Sequence, residues 1–247
     1  MKKSIMIFLV PALLFGLNPL EIFKKANNNA ENSDFLKAIE KYELLIDKGY
    51  KNGDLYYNLG NAYYRNNQLG FALWAYYSAQ KWTPRDPDLL HNIKVAQAKC
   101  IDRIEFPKSI FIFEYLLKIE KSVRLVELNI LGSILFFIIS LLILMKKTDL
   151  LSFDIINYFI SLLFILFLFV NGLAFKKYII ENNEKYGVVI SNSVNVFSGP
   201  NDNQNSILFI INEGLKVKLN HYQEEWIEIK LIDGKKGWVN NWSVKEI

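Results

Sequence analysis

The chain has 247 residues, enough for more than one domain, and 51% of them are apolar, above the share of an ordinary soluble protein. Its net charge of +4 is small, and the stretches 19–105 and 181–247 are each near balance, so the basic excess sits beside the most apolar segments and leaves no nucleic-acid footprint. A single cysteine, Cys100, excludes an internal disulfide and a thiolate metal set.

In residues 1–18, Lys2 and Lys3 precede the apolar run Ser4 to Leu17, which resembles a secretory signal. Pro11 interrupts the run and no clear small-x-small cleavage site follows. A cleaved signal and a retained anchor both stay open.

The region 19–105 is organised around "LYYNLGNAYYRNNQLGFALWAYYSAQKWTP", Leu55 to Pro84. Tyr56, Leu59, Gly60 and Tyr63 follow i, i+3, i+4, i+7 and share one helical face. Ala72, Tyr76 and Ala79 do the same on a second helix, Arg65 to Gln68 form a polar turn, and Pro84 stops the pattern. These residues resemble a tetratricopeptide repeat, with small Gly60 and Ala72 admitting close helix approach and Tyr56, Tyr63 and Tyr76 filling the core around them. One 34-residue step back sets Ala38 under Ala72 and Tyr42 under Tyr76, giving a degenerate first repeat from Leu20 to Lys51. Asn27, Asn28 and Asn29 predict fraying of its first helix. One step forward, Pro87 to Lys99 predicts a helix that caps the array. The resemblance implies a groove lined by Tyr57, Asn61, Tyr64 and His91, the candidate partner-binding residues of this module. Each tyrosine there has a plainer alternative role, packing on a neighbouring helix.

Residues 106–127 mix apolar clusters with Lys118, Lys121 and Arg124, and read either as an amphipathic helix in the membrane interface or as an extension of the next segment. Residues 128–145 and 155–175 are uncharged apolar runs of about 18 and 21 residues, each long enough to cross a bilayer. The linking residues 146–154 are too few to fold alone, so the two spans form an antiparallel hairpin and the soluble parts before and after it share one side of the membrane. Lys146 and Lys147 oppose Lys118, Lys121, Arg124, Lys176 and Lys177, leaving the charge rule nearly balanced. The signal-like start then places both soluble parts outside the cytoplasm.

From residue 184 to 247 the pattern changes to period two: Val188 and Ile190, Val194 and Val196, Val217 and Leu219, then Trp226, Ile227 and Ile229. Ser198-Gly199-Pro200, Glu213-Gly214 and Asp233-Gly234 mark turns, and about five short strands predict a small barrel. "VNVFSGP", "NEGLKVKL", "EEWIEIKL" and "DGKKGWVNNWSV" resemble the bacterial SH3 domain, with Phe197 standing where an arginine is commonest. Trp226, Trp238 and Trp242 either form an aromatic groove for a peptide or wall polymer, or the first two plug the barrel and Trp242 alone is partly exposed. Trp242 is the candidate binding residue of this module.

Chemistry-bearing patterns are sparse. The glycines are scattered at turns, His91 and His221 lack a second ligand at metal spacing, and Asp86 with Asp88 reads as a helix cap. No catalytic, cofactor or metal residue is expected. The whole chain reads as a multidomain membrane protein: an all-α tetratricopeptide-repeat solenoid, an α-helical transmembrane hairpin and an all-β SH3-like barrel. That order, with "DPDLLHNIKVAQAKCIDRI" between repeat and membrane, resembles the BatE family of aerotolerance-operon membrane proteins. The resemblance implies a non-catalytic scaffold in the bacterial inner membrane, both soluble modules periplasmic, working with membrane proteins that carry von Willebrand A domains and with a MoxR-type ATPase. The alternative is a peptidoglycan-binding module with the repeats as spacer.

Overall fold

A computed structural model of the chain describes residues 18–102, 122–148 and 155–247. The signal-like run up to Leu17, the juxtamembrane segment as far as 121 and the hairpin loop from 149 to 154 lie outside those residues.

Five helices open the described chain: α1 Pro19–Glu31, α2 Phe35–Asp47, α3 Gly53–Arg65, α4 Leu69–Gln80 and α5 Pro87–Lys99. Their ends repeat at a 34-residue step. Asn18, Asn52 and Asp86 each cap a helix, their side-chain oxygens accepting from the backbone N–H of Leu20, Leu55 and Leu89 at 3.0, 2.8 and 3.1 Å. Ser33 and Asn67 turn each pair at φ 62° and 60°. In the second pair, a methyl group on Gly60 would lie 2.5 Å from the Tyr76 ring, so only glycine lets α3 and α4 meet.

Helix α1 runs unbroken through Asn27, Asn28 and Asn29, contrary to the fraying expected of poor helix formers. Tertiary hydrogen bonds override the local propensity: Asn27 Oδ1 accepts from the Tyr42 hydroxyl at 2.6 Å and from Asn58 Nδ2 at 3.3 Å.

Two longer helices follow, α6 Leu125–Lys147 and α7 Ile155–Asn183, with mean hydropathies of 2.6 and 2.3. Both could cross a membrane, and no more than 17% of either apolar window is buried, where the core helix of a soluble protein would be covered. Gly132 lies against Asn171, and Lys146 donates to Asn157, so the pair is antiparallel. Helix α7 continues two turns past Phe175, and the first strand begins at Lys185, leaving almost no linker between hairpin and barrel.

The C-terminal module is an antiparallel sheet of β1 Lys185–Val189, β2 Ser193–Phe197, β3 Ile207–Asn212, β4 Lys216–Gln223, β5 Trp226–Lys230, β6 Lys236–Asn240 and β7 Val244–Glu246, in the order β3-β2-β6-β5-β4-β1-β7. The sequence predicts about five strands. Strand β3 escapes it because "ILFIIN" does not alternate, and β7 because it is three residues long. Val196, Val217, Ile227, Ile229 and Val239 form the barrel core.

The barrel packs on α4. At 100° per residue, Ala72, Tyr76 and Ala79 point towards α3, while Gly70, Leu73, Trp74, Tyr77 and Lys81 form the opposite face and meet the barrel. Every residue from Ala72 to Ala79 is therefore buried. Gly70 donates its N–H to Glu213 at 3.1 Å, and a side chain there would strike the Val189 carbonyl at 2.6 Å. Trp74 Nε1 donates to the Glu246 carbonyl at 2.7 Å and Lys81 to the Ile247 carbonyl at 2.8 Å. Beyond α5, both carboxylate oxygens of Asp102 accept from Asn212, at 2.6 Å from its backbone N–H and 3.1 Å from its amide. The helical module and the β module thus form a continuous packed body.

Candidate functional site

The first helix of each pair carries a polar rung built from positions one repeat apart. Asn61 Oδ1 accepts from the Tyr76 hydroxyl at 2.8 Å and from Asn92 Nδ2 at 2.9 Å, reproducing the Asn27–Tyr42–Asn58 set one 34-residue step later. The aromatic neighbours repeat too, Phe23 against Tyr42 at 5.9 Å and Tyr57 against Tyr76 at 6.3 Å between ring centroids. Burial pushes the Tyr42 hydroxyl up to about 12 and raises Tyr76 as well, so both remain proton donors at neutral pH. Because two donors hold each asparagine oxygen, the –NH2 groups of Asn27 and Asn61 are left as donors without a protein acceptor among the described residues. Both side chains are half-buried and reachable.

The structure brings Tyr57, Asn61 and Tyr64 together on α3. Asn92 of α5 joins the first two, donating to the Tyr57 hydroxyl at 3.2 Å, and the Lys99 ammonium sits 4.3 Å above the Tyr64 ring. His91 is exposed on α5 at the repeat position of Tyr57. Trp242 stands in the other module, 66% exposed in the turn before β7. Sequence reasoning missed Asn27, Asn92 and Lys99. The 34-residue step that relates Asn27 to Asn61 was the signal available for the first of them.

On the barrel, Trp226 and Trp238 are not core plugs. They alternate with Ile227 and Val239 and so project from the opposite face of β5 and β6, half-buried. Phe197 pairs with Trp238 across β2 and β6 and meets Trp226 edge-on at 5.4 Å, which gives this departure from arginine an aromatic packing role. Beside them Glu228 accepts from Asn220 at 3.2 Å and lies 3.0 Å from His221, and the His221 contact holds its carboxyl below the usual range.

At the seam between modules, the Lys245 ammonium lies 3.9 Å above the Trp74 ring and 3.8 Å from Glu43, and burial lowers its pKa. The Cys100 thiol is buried against Gly214, whose φ is +87° and where a methyl group would lie 2.5 Å from the sulfur. Burial, with Glu213 and Asp102 nearby, pushes that thiol up to about 11, away from nucleophilic readiness.

No curated protein matches the chain. The solved structure of NlpC2 from Trichomonas vaginalis is similar at 18% identity with a TM-score of 0.24, over 26% of this chain and 26% of that one. This chain therefore spans about a quarter of that protein's length. Residues 191–245, which hold β2 to β6 and the start of β7, match the family model of the bacterial SH3 domain, and this chain accordingly carries a bacterial SH3 domain behind two apolar helices.

Proposed function

We propose that the chain is a non-catalytic, membrane-anchored adaptor of the kind the BatE resemblance implies. Its tetratricopeptide-type groove holds an extended segment of a partner membrane protein, and its SH3 barrel braces the groove against the membrane hairpin. The observation that carries the reading is the repeated rung: Asn27 and Asn61, at equivalent positions one repeat apart, each have the side-chain oxygen held by two donors and offer the –NH2 group to a backbone carbonyl of an extended segment. Proteins with von Willebrand A domains and a MoxR-type ATPase are the partners that the resemblance supplies. The seam between modules supports a shared side for both, and the signal-like start favours the periplasm.

The test is co-purification from native membranes followed by mass spectrometry, comparing the wild type with the Asn27→Asp, Asn61→Asp double variant. Each aspartate keeps the acceptor that Tyr42 or Tyr76 needs and removes the –NH2 donor. Loss of co-purifying proteins with an unchanged circular dichroism melt supports the groove. The same partners recovered with the double variant would defeat it. Single cysteines at Thr148 and Asn203 in a Cys100→Ala background report sidedness through a membrane-impermeant maleimide, with labelling at Asn203 alone expected. Labelling at Thr148 alone would reverse the orientation.

A second reading has one observation of its own. Trp226 and Trp238 project from the outer face of the barrel rather than into its core, a surface suited to stacking on a wall polymer. Sedimentation of the full chain with isolated peptidoglycan, abolished by Trp238→Ala, would favour this wall-binding role over the adaptor.

A further inference from the structure

The helical domain touches the hairpin where the latter begins. Arg85, in the loop between α4 and α5, donates through both guanidinium arms to the carboxylate of Glu127 in the first turn of α6, the Nη1 contact at 3.0 Å. Glu127 also caps that turn by accepting from the Arg124 N–H at 3.1 Å. The loop is therefore pinned at the level of Leu125, where the apolar run of α6 starts. Pairing along the antiparallel hairpin, Gly132 with Asn171 and Lys146 with Asn157, sets Tyr178 of α7 at that same level. Trp82 in the loop is 40% exposed and Tyr178 is 54% exposed.

We infer that the Trp82–Asp86 loop lies in the lipid headgroup layer of the bilayer that α6 and α7 cross, with Trp82 and Tyr178 as its interfacial aromatics; this rests on reading those helices as spans. Three observations converge on a lipid surface as the occupant. The loop is continuous with the hairpin through the Arg85–Glu127 pair, so insertion of α6 carries it to the interface. Indole and phenol rings favour that depth because each has an apolar body and one hydrogen-bonding edge. With Arg85 and Glu127 paired to each other, the cleft between loop and α6 keeps Arg124 with Asp86 and Asp88, no positive excess that would call for anionic lipid, so zwitterionic headgroups suit it. The consequence is geometric. With one end of the array resting on the membrane, the groove is held at fixed tilt, and the segment it receives must come from the juxtamembrane part of a partner.

The test uses the full chain reconstituted in phosphatidylethanolamine–phosphatidylglycerol vesicles with a nitroxide at the headgroup or deep in the acyl chain. Neither α6 nor α7 contains tryptophan, so quenching reports the soluble modules. The headgroup label should quench more than the deep one, and W82F should remove a quenchable share near the one-fifth that one of five tryptophans contributes. W242F should leave the quenchable share in place. Equal headgroup quenching in wild type and W82F would overturn the inference. Alkaline carbonate extraction of the same vesicles checks the spans separately: retention is expected, and release of the chain would remove the hairpin reading and this placement with it.

Discussion

Helices α2 and α4 hold equivalent places in successive pairs, yet their outer faces differ completely. The inward positions repeat, Ala38 with Ala72 and Tyr42 with Tyr76, all of them buried. The outward positions do not: Glu40 and Glu43 on α2 correspond to Trp74 and Tyr77 on α4. Water bathes most of the first face and the barrel covers the second. What repeats in this chain belongs to the helical packing, and what breaks the repeat marks a contact with something else. Glu43 is the instructive exception on α2, since it accepts from Tyr63 and approaches Lys245 of the barrel.

The contrast can be broken most severely at Trp74. Trp74→Ala removes a buried indole, its hydrogen bond to the Glu246 carbonyl and its edge contact with Tyr56, and should lower the unfolding free energy by about 4 kcal/mol. Gly60→Leu attacks the repeated face instead, driving a side chain into the Tyr76 ring, and should cost about 3 kcal/mol. Both are read from denaturant melts followed by circular dichroism. Comparable losses from Tyr57→Ala would mean that the core and groove faces of α3 are wrongly assigned.

A smaller effect depends on pH. Burial pushes the Cys100 thiol of the folded chain up to about 11, above the ordinary thiol value of 9.0 that the unfolded chain takes. The unfolded thiol therefore ionises first, and the stability it contributes is complete below about pH 9 and lost as pH rises through about 11. Wild type should lose about 2 kcal/mol more than Cys100→Ala across that window. Parallel alkaline profiles would show that the thiol is not held in the seam. Asn61→Ala, which strands the Tyr76 hydroxyl and Asn92, should cost about 1 kcal/mol. Least of all, Glu40→Ala, at the α2 position equivalent to Trp74, should stay within about 0.5 kcal/mol of wild type.

Much of the architecture was legible because it rests on short-range periodicity. Helical spacing placed Tyr56, Leu59, Gly60 and Tyr63 on one face, the cap at Asp86 and the start of α5 at Pro87 could be read directly, and alternation with Gly turns gave most of the barrel. The seam was not read, although one local clue existed: "LGFALWAYYSAQ" is apolar all round, and a helix without a polar face is buried on every side. Its partner could not be named, because residues such as Trp74 and Glu246 lie far apart along the chain with the hairpin between them. Trp226 and Trp238 misled for a different reason. Bulk and aromaticity point to a core, but strand alternation decides which face a residue takes, and the isoleucine and valine beside them take the inside.

Docking of the barrel on α4 is tested most directly by the reactivity of Cys100, buried between Leu73 and Gly214. Maleimide labelling of the full chain in mild detergent at neutral pH should be far slower than labelling of the urea-denatured chain, and Trp74→Glu, which forces a charge into the seam, should restore fast labelling without melting the helices. Fast labelling of the native chain, or slow labelling in Trp74→Glu as well, would mean that the barrel does not cover this face of the helical domain.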